Sequence, residues 1–138
     1  LKHAAAFCQR GCLMRSLVLC LCFLFATTPA TAQSSGQEKQ ILLLTKANWL
    51  TVRDFNGQQL IYFTQLESWR CGISEVRYSV NSDALDQVWT LQPCDPANPN
   101  AITTDRPYVS LPAGTASSVS VQLTFKDGSK SEIVHIAR

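Results

Sequence analysis

Cys71 and Cys94 define one antiparallel register, and the apolar pattern between them demands the same one. With these two cysteines opposite each other, Val80 falls across from Leu85, Tyr78 from Gln87, Val76 from Trp89 and Ser74 from Leu91. The large apolar residues then share a face, and a slip of one residue would turn that face outward. The segment is therefore expected to be a hairpin over Asn81-Ser82-Asp83-Ala84, with a Cys71–Cys94 disulfide stapling its open end. Strict alternation places both cysteines on the opposite face, so a bulge at Gly72 is expected.

These are the only cysteines downstream of a cleavable leader. Met14-Arg15-Ser16 supplies a charged start, Leu17 to Ala26 an apolar run, and Ala30-Thr31-Ala32 a small-residue cleavage site before Gln33. That order defines a signal peptide over 14–32, and residues 1–13 are expected to be an over-extended gene start. Both are set aside for fold reasoning. Removing 32 of the 138 residues leaves 106, enough for one small domain. Basic residues fall from 12 to 9 while all 10 acidic ones stay, so the net charge becomes −1. That balance leaves no basic patch for nucleic acid. Cys8, Cys12, Cys20 and Cys22 leave with the leader. Leucines precede Cys20 and Cys22, which argues against lipidation, and no later segment approaches ~20 apolar residues. A periplasmic or secreted protein with no membrane span after cleavage is expected.

Residues 33–40 are small and polar and are expected to form a disordered lead-in to a domain over 41–138. Asn56-Gly57 is the strongest short hairpin signal, pairing Val52 with Ile61 and Leu50 with Phe63. Asp127-Gly128 pivots another hairpin. On one side Val119, Val121, Leu123 and Phe125 alternate with polar residues; on the other, Val134 and Ile136 match them, with Glu132 opposite Leu123. Ile41 to Leu44 and Tyr108 to Leu111 add apolar runs. The fold class is therefore all-β: a small antiparallel β-sandwich of seven to eight strands with one disulfide. Its general layout is immunoglobulin-like. The Cys-Trp-Cys order of true immunoglobulin domains is not met, because these cysteines staple neighbouring strands.

Chemistry is sparse. His135 is the only histidine after the leader and lies on a strand facing away from Val134 and Ile136. It is a general-base candidate or a solvated strand residue. Asn81, Asp83 and Asp86 offer oxygens at a hairpin tip, either for calcium or for the turn itself. Glu67, Asp95 and Asp105 are carboxylates that nothing in the spacing brings together. Two cysteines without C-x₂-C spacing make no zinc site, and neither a metal nor a cofactor is expected. Trp69 and Arg70, beside the staple, are the candidate binding residues, since both types are enriched at binding hot spots. The competing role is structural, with Trp69 capping the core and Arg70 pairing with Glu67. The function expected is a non-enzymatic module that binds an unknown protein or envelope component. The alternatives are an inhibitor of a secreted enzyme, through Trp69 to Gly72 or Asp95 to Asn100, and a small hydrolase using His135.

Overall fold

Strand β6 (Ser118–Phe125) organises the core, because its alternation points Val119, Val121, Leu123 and Phe125 inward, none more than 1 % exposed. The computed structural model describes residues 34–138, and the leader expected over 1–32 lies outside them. β6 pairs on one side with β3 (Ile73–Val80) and on the other with β7 (Val134–Ala137), and β4 (Gln87–Trp89) extends the sheet beyond β3. A second antiparallel sheet contains β1 (Thr51–Phe55), β2 (Gln58–Tyr62) and β5 (Tyr108–Pro112), in the order β1-β2-β5. Leu50, Ile61 and Phe63 meet Val76, Tyr78, Val119 and Val121 in a single buried cluster, so the two sheets share one core. The Phe63 ring stacks on Trp89 at 4.2 Å and meets Tyr78 edge-on at 5.1 Å.

The strand order puts β1, β2 and β5 in one sheet and β3, β6 and β7 in the other, as immunoglobulin sandwiches do. The likeness stops there. β4 lies beside β3, whereas the constant-type order would put it beside β5. The disulfide links Cys71 to Cys94 with 4.9 Å between their Cα atoms, joining chain on either side of the β3–β4 pair instead of bridging the sheets.

The expected registers hold where the turn chemistry is simple. Val52 pairs with Ile61 across Asn56 and Gly57, whose φ angles of 51° and 74° suit a two-residue hairpin turn. Val76 pairs with Trp89 and Tyr78 with Gln87. Four details differ. The Val80–Leu85 pair does not form, because Asn81 and Leu85 adopt left-handed φ angles of 58° and 48° that turn the chain away from β3. The bulge falls between Ile73 and Glu75, not at Gly72, and so both Ile73 and Val76 point inward. The last hairpin keeps the expected pairs Val119–Ile136 and Val121–Val134 but closes with a three-residue loop, Lys126-Asp127-Gly128, with Gly128 at φ 81° and Phe125 bonded to Ser129. Leu123 therefore faces Ser131, and Glu132 turns outward to Lys46.

The fourth difference is the largest. Residues expected as a disordered lead-in and a strand form helix α1 (Ser34–Leu44). Gln, Glu, Lys and Leu favour helix, but docking decides the matter. Leu42 is fully buried and its carbonyl accepts from Trp49 Nε1 at 2.8 Å. Lys39 reaches Asp127 at 2.6 Å and Ser129 at 2.8 Å. The inward stripe is disguised in sequence, because Glu38 occupies a buried position while Leu44 is 86 % exposed. Gly72 sits beneath the helix, where a Cβ would stand 2.7 Å from Glu38 Cβ.

Glu38 keeps one carboxylate oxygen buried with no hydrogen-bond partner among the described residues, and burial raises its pKa. A carboxylate whose pKa rises on folding opposes folding above its unfolded value of roughly 4.3, and the penalty vanishes in acid. Glu38→Gln should therefore raise the unfolding midpoint at pH 7, with the gain disappearing as the pH falls below the carboxylate range. Thermal unfolding across pH checks this, and an unchanged midpoint at pH 7 would contradict it.

Candidate functional site

The sequence between β2 and β3 folds into a short helix, α2 (Thr64–Ser68), and a 3-10 turn, Arg70–Gly72. This compact segment places Glu67, Trp69, Arg70 and Cys71 under a stretch of 18 residues, 90–107, that has neither helix nor strand. Such a stretch leaves its backbone polar groups without ladder partners, and buried side chains must supply them.

Arg70 is 4 % exposed. Its Nε donates to the Pro93 carbonyl at 2.9 Å, and its Nη1 donates to the carbonyls of Glu67 at 2.9 Å and Pro99 at 3.0 Å. The planar fork of donors is thus used to tie the long loop to the turn beneath it. Exposure of the Arg70 side chain, which a recognition role requires, is missing. The Glu67 carboxylate is not its partner either. Trp69 is half-buried and packs against the core.

Glu67 is 1 % exposed. Its Oε1 accepts from Trp89 Nε1 at 2.8 Å, and its Oε2 accepts from Gln92 N at 3.2 Å and Gln92 Nε2 at 3.0 Å. The Gln92 side-chain oxygen then accepts from Thr103 N at 2.8 Å, Thr103 Oγ1 at 2.6 Å and Thr104 N at 3.2 Å. Asn100 Nδ2 donates to the Ser68 carbonyl at 2.6 Å, and Phe63 N donates to Pro107 O at 2.8 Å. The loop is anchored along its whole course. In sequence Glu67 reads as a stray carboxylate or a partner of Arg70, and no spacing signal marks it as the anchor of Trp89 and Gln92.

The part of the loop that faces out is Asp95 to Asn100. Asp95 accepts from Ala97 N at 2.9 Å and from Asn98 Nδ2 at 3.2 Å, closing a turn on itself. The Asn98 amide, and then the Ala97 N–H, hold the Asp95 carboxyl below its usual value. Residues 93–98 are all exposed. Beside the disulfide, the chain after β4 diverges from β3 where Ser74 was expected to face Leu91. The divergence leaves a cleft of about 330 Å³ whose lining includes Arg70, Glu75, Gln92, Cys94 and Lys126.

The remaining candidates have local roles. His135 Nδ1 lies 3.1 Å from Ser120 Oγ and 3.4 Å from Asp83 Oδ1. A hydrolytic relay places the serine and the acid on opposite ring nitrogens of the histidine. Here both meet Nδ1, the Ser120 hydroxyl donates directly to Asp83 at 2.6 Å, and Ser120 is 2 % exposed. Asn81 Oδ1 accepts from Ser117 N and Ser118 N, which uses it as a turn anchor. Among the described residues no group of three or more His, Cys, Asp or Glu is placed to hold a metal ion. No family model matches the chain, and no curated protein or solved structure is detectably similar to it.

Truncating Arg70 removes a donor from three carbonyls, of which Glu67 O also takes the Trp69 N–H. Leaving buried polar groups unpaired costs about 1–3 kcal/mol each, reduced where water can enter. Arg70→Ala should therefore lower the unfolding free energy by about 2–4 kcal/mol. Denaturant unfolding measures it, and a change under about 0.5 kcal/mol, as for a surface residue, would contradict the anchoring role.

Proposed function

We propose that the chain is an exported, non-enzymatic β-sandwich module that binds a protein or envelope component of the periplasm or cell exterior. Its contact surface is the loop Asp95–Asn100. The observation that carries this is the contrast between the loop's two sides. Outward it is exposed; inward it is held by Arg70 at Pro93 and Pro99, by Asn100 at Ser68 and by the disulfide at Cys94. A loop ordered before binding loses little entropy on binding, which is how rigid recognition loops gain affinity.

Export rests on the leader ending at Ala30-Thr31-Ala32 and is in keeping with a disulfide. Among the described residues no helix is long and apolar enough to cross a membrane. A second reading uses the same loop: inhibition of a secreted enzyme, with Pro96 and Ala97 at the tip entering a cleft. The exposed turn beside the disulfide favours it. The hydrolase alternative through His135 draws no support from the Ser120–His135–Asp83 geometry.

Ala97→Arg adds a bulky charge at an exposed position of the tip. The exported protein, its mature mass beginning at Gln33, should capture a component of an envelope extract. The Ala97→Arg protein should lose that capture while unfolding at the same temperature. Identical capture by both proteins would exclude the loop as the contact surface, and a mature mass that retains Met14 would exclude the export pathway.

A further inference from the structure

The two sheets do not close on each other along the β4–β5 side of the sandwich. β4 is three residues long, and its ladder with β3 ends at Tyr78 and Gln87. Beyond that point the chain is turned away by Asn81 and Leu85, at φ 58° and 48°. A positive φ is a genuine outlier for a residue as bulky as leucine, and strain of this kind collects at functional sites. Val80, which would have met Leu85, keeps only its β6 partner, Val119. The result is a cleft of about 350 Å³ lined by Val80, Val109 and Leu111, with Tyr78, Ser82, Asp86 and Gln87 completing it. That volume lies near the lower end of the range of roughly 300–1,000 Å³ typical of small-molecule sites.

The cleft carries polar side chains as well: Tyr78, Ser82, Asp86 and Gln87. Asp86 is the only charged lining residue, and it is exposed. The Tyr78 side chain is largely buried, and its hydroxyl, which takes no hydrogen-bond partner among the described residues, keeps contact with solvent at the cleft. Burial, and then the nearby Asp86 carboxylate, raise the Tyr78 pKa, so the hydroxyl stays protonated at neutral pH. An apolar wall, a carboxylate and a hydroxyl free to take a further bond make a complementary set for an amphiphilic cation.

We propose that this inter-sheet cleft binds a small amphiphilic amine, its apolar body against Val80, Val109 and Leu111 and its ammonium on Asp86 and Tyr78. The Tyr78 hydroxyl oxygen can accept from the ammonium, and the Asp86 carboxylate meets it with a charge-assisted bond. The site shares no residue with the Asp95–Asn100 loop, so its success or failure is independent of the binding function assigned to that loop.

Hexylamine and hexan-1-ol differ in charge and hardly in shape. In titrations followed by amide chemical shifts of the mature chain, hexylamine should saturably move Tyr78, Val80, Val109 and Leu111. Hexan-1-ol should bind at the same residues about tenfold more weakly, the ratio expected for loss of one charged hydrogen bond. Asp86→Asn, at an exposed position, should bring the amine down to the alcohol's affinity, and Tyr78→Phe should weaken the amine. Equal binding of amine and alcohol would overturn the proposal, as would shifts from neither. A lysine-containing peptide that moves these residues through Asp86, where the free amine does not, would overturn it in favour of a protein contact.

Discussion

The rest of the structure hangs on one buried carboxylate. Glu67 is taken out of water without forming an ion pair among the described residues, so hydrogen bonds must replace its hydration. Its donors are the indole of Trp89 and both the backbone and side-chain nitrogens of Gln92. Those contacts determine where β4 ends and which way the following chain runs. They also hold Trp89 flat against Phe63, which joins the two sheets. A single charge thus links the sandwich core to the loop laid over it.

The disulfide and Arg70 act on the same loop by different means. A bridge across 23 residues restricts the unfolded chain, an effect of roughly 3 kcal/mol in the chain-entropy model. Arg70 acts in the folded state, where its donors satisfy carbonyls that no strand can reach. A buried charge held by several hydrogen bonds gives a structure little freedom to rearrange. The long segment between β4 and β5, whose Pro96 and Pro99 already read as a rigid loop in sequence, is for this reason a fixed surface. At the other end of the β3–β4 hairpin the anchors, Asn81 to Thr115, Ser117 and Ser118 and Asp83 to Ser120, tie the turn to β6 and the chain before it. There the chain leaves β3 at Asn81 with a left-handed turn, and the sheets stay parted.

Much of the sandwich was legible, because periodicity and turn chemistry are local signals. The alternation from Val119 to Phe125, the Asn56-Gly57 turn and the register through Val76 and Trp89 all follow from pattern alone. The pairing of Cys71 with Cys94 was legible for the same reason. Helix α1 was not, since its buried face carries Glu38 and its exposed end carries Leu44, the reverse of an amphipathic stripe. The buried Gln59 hid likewise, in that its amide pairs with both backbone groups of Ala116, a partner 57 residues away. Arg70 looked like a surface arginine because the carbonyls it satisfies belong to a distant loop. Polar residues that serve tertiary contacts leave no periodic trace.

The central claim is that Glu67 and Gln92 hold the loop together as a pair. A double-mutant cycle with Glu67→Gln and Gln92→Ala measures that coupling directly from denaturant unfolding. Their side chains share the bond from Gln92 Nε2 to Glu67 Oε2, a charge-assisted one that Gln92→Ala removes while the backbone bond stays, so the coupling should exceed about 1 kcal/mol. Additive losses, with coupling under about 0.3 kcal/mol, would show that the loop is held by the disulfide and Arg70 without the carboxylate.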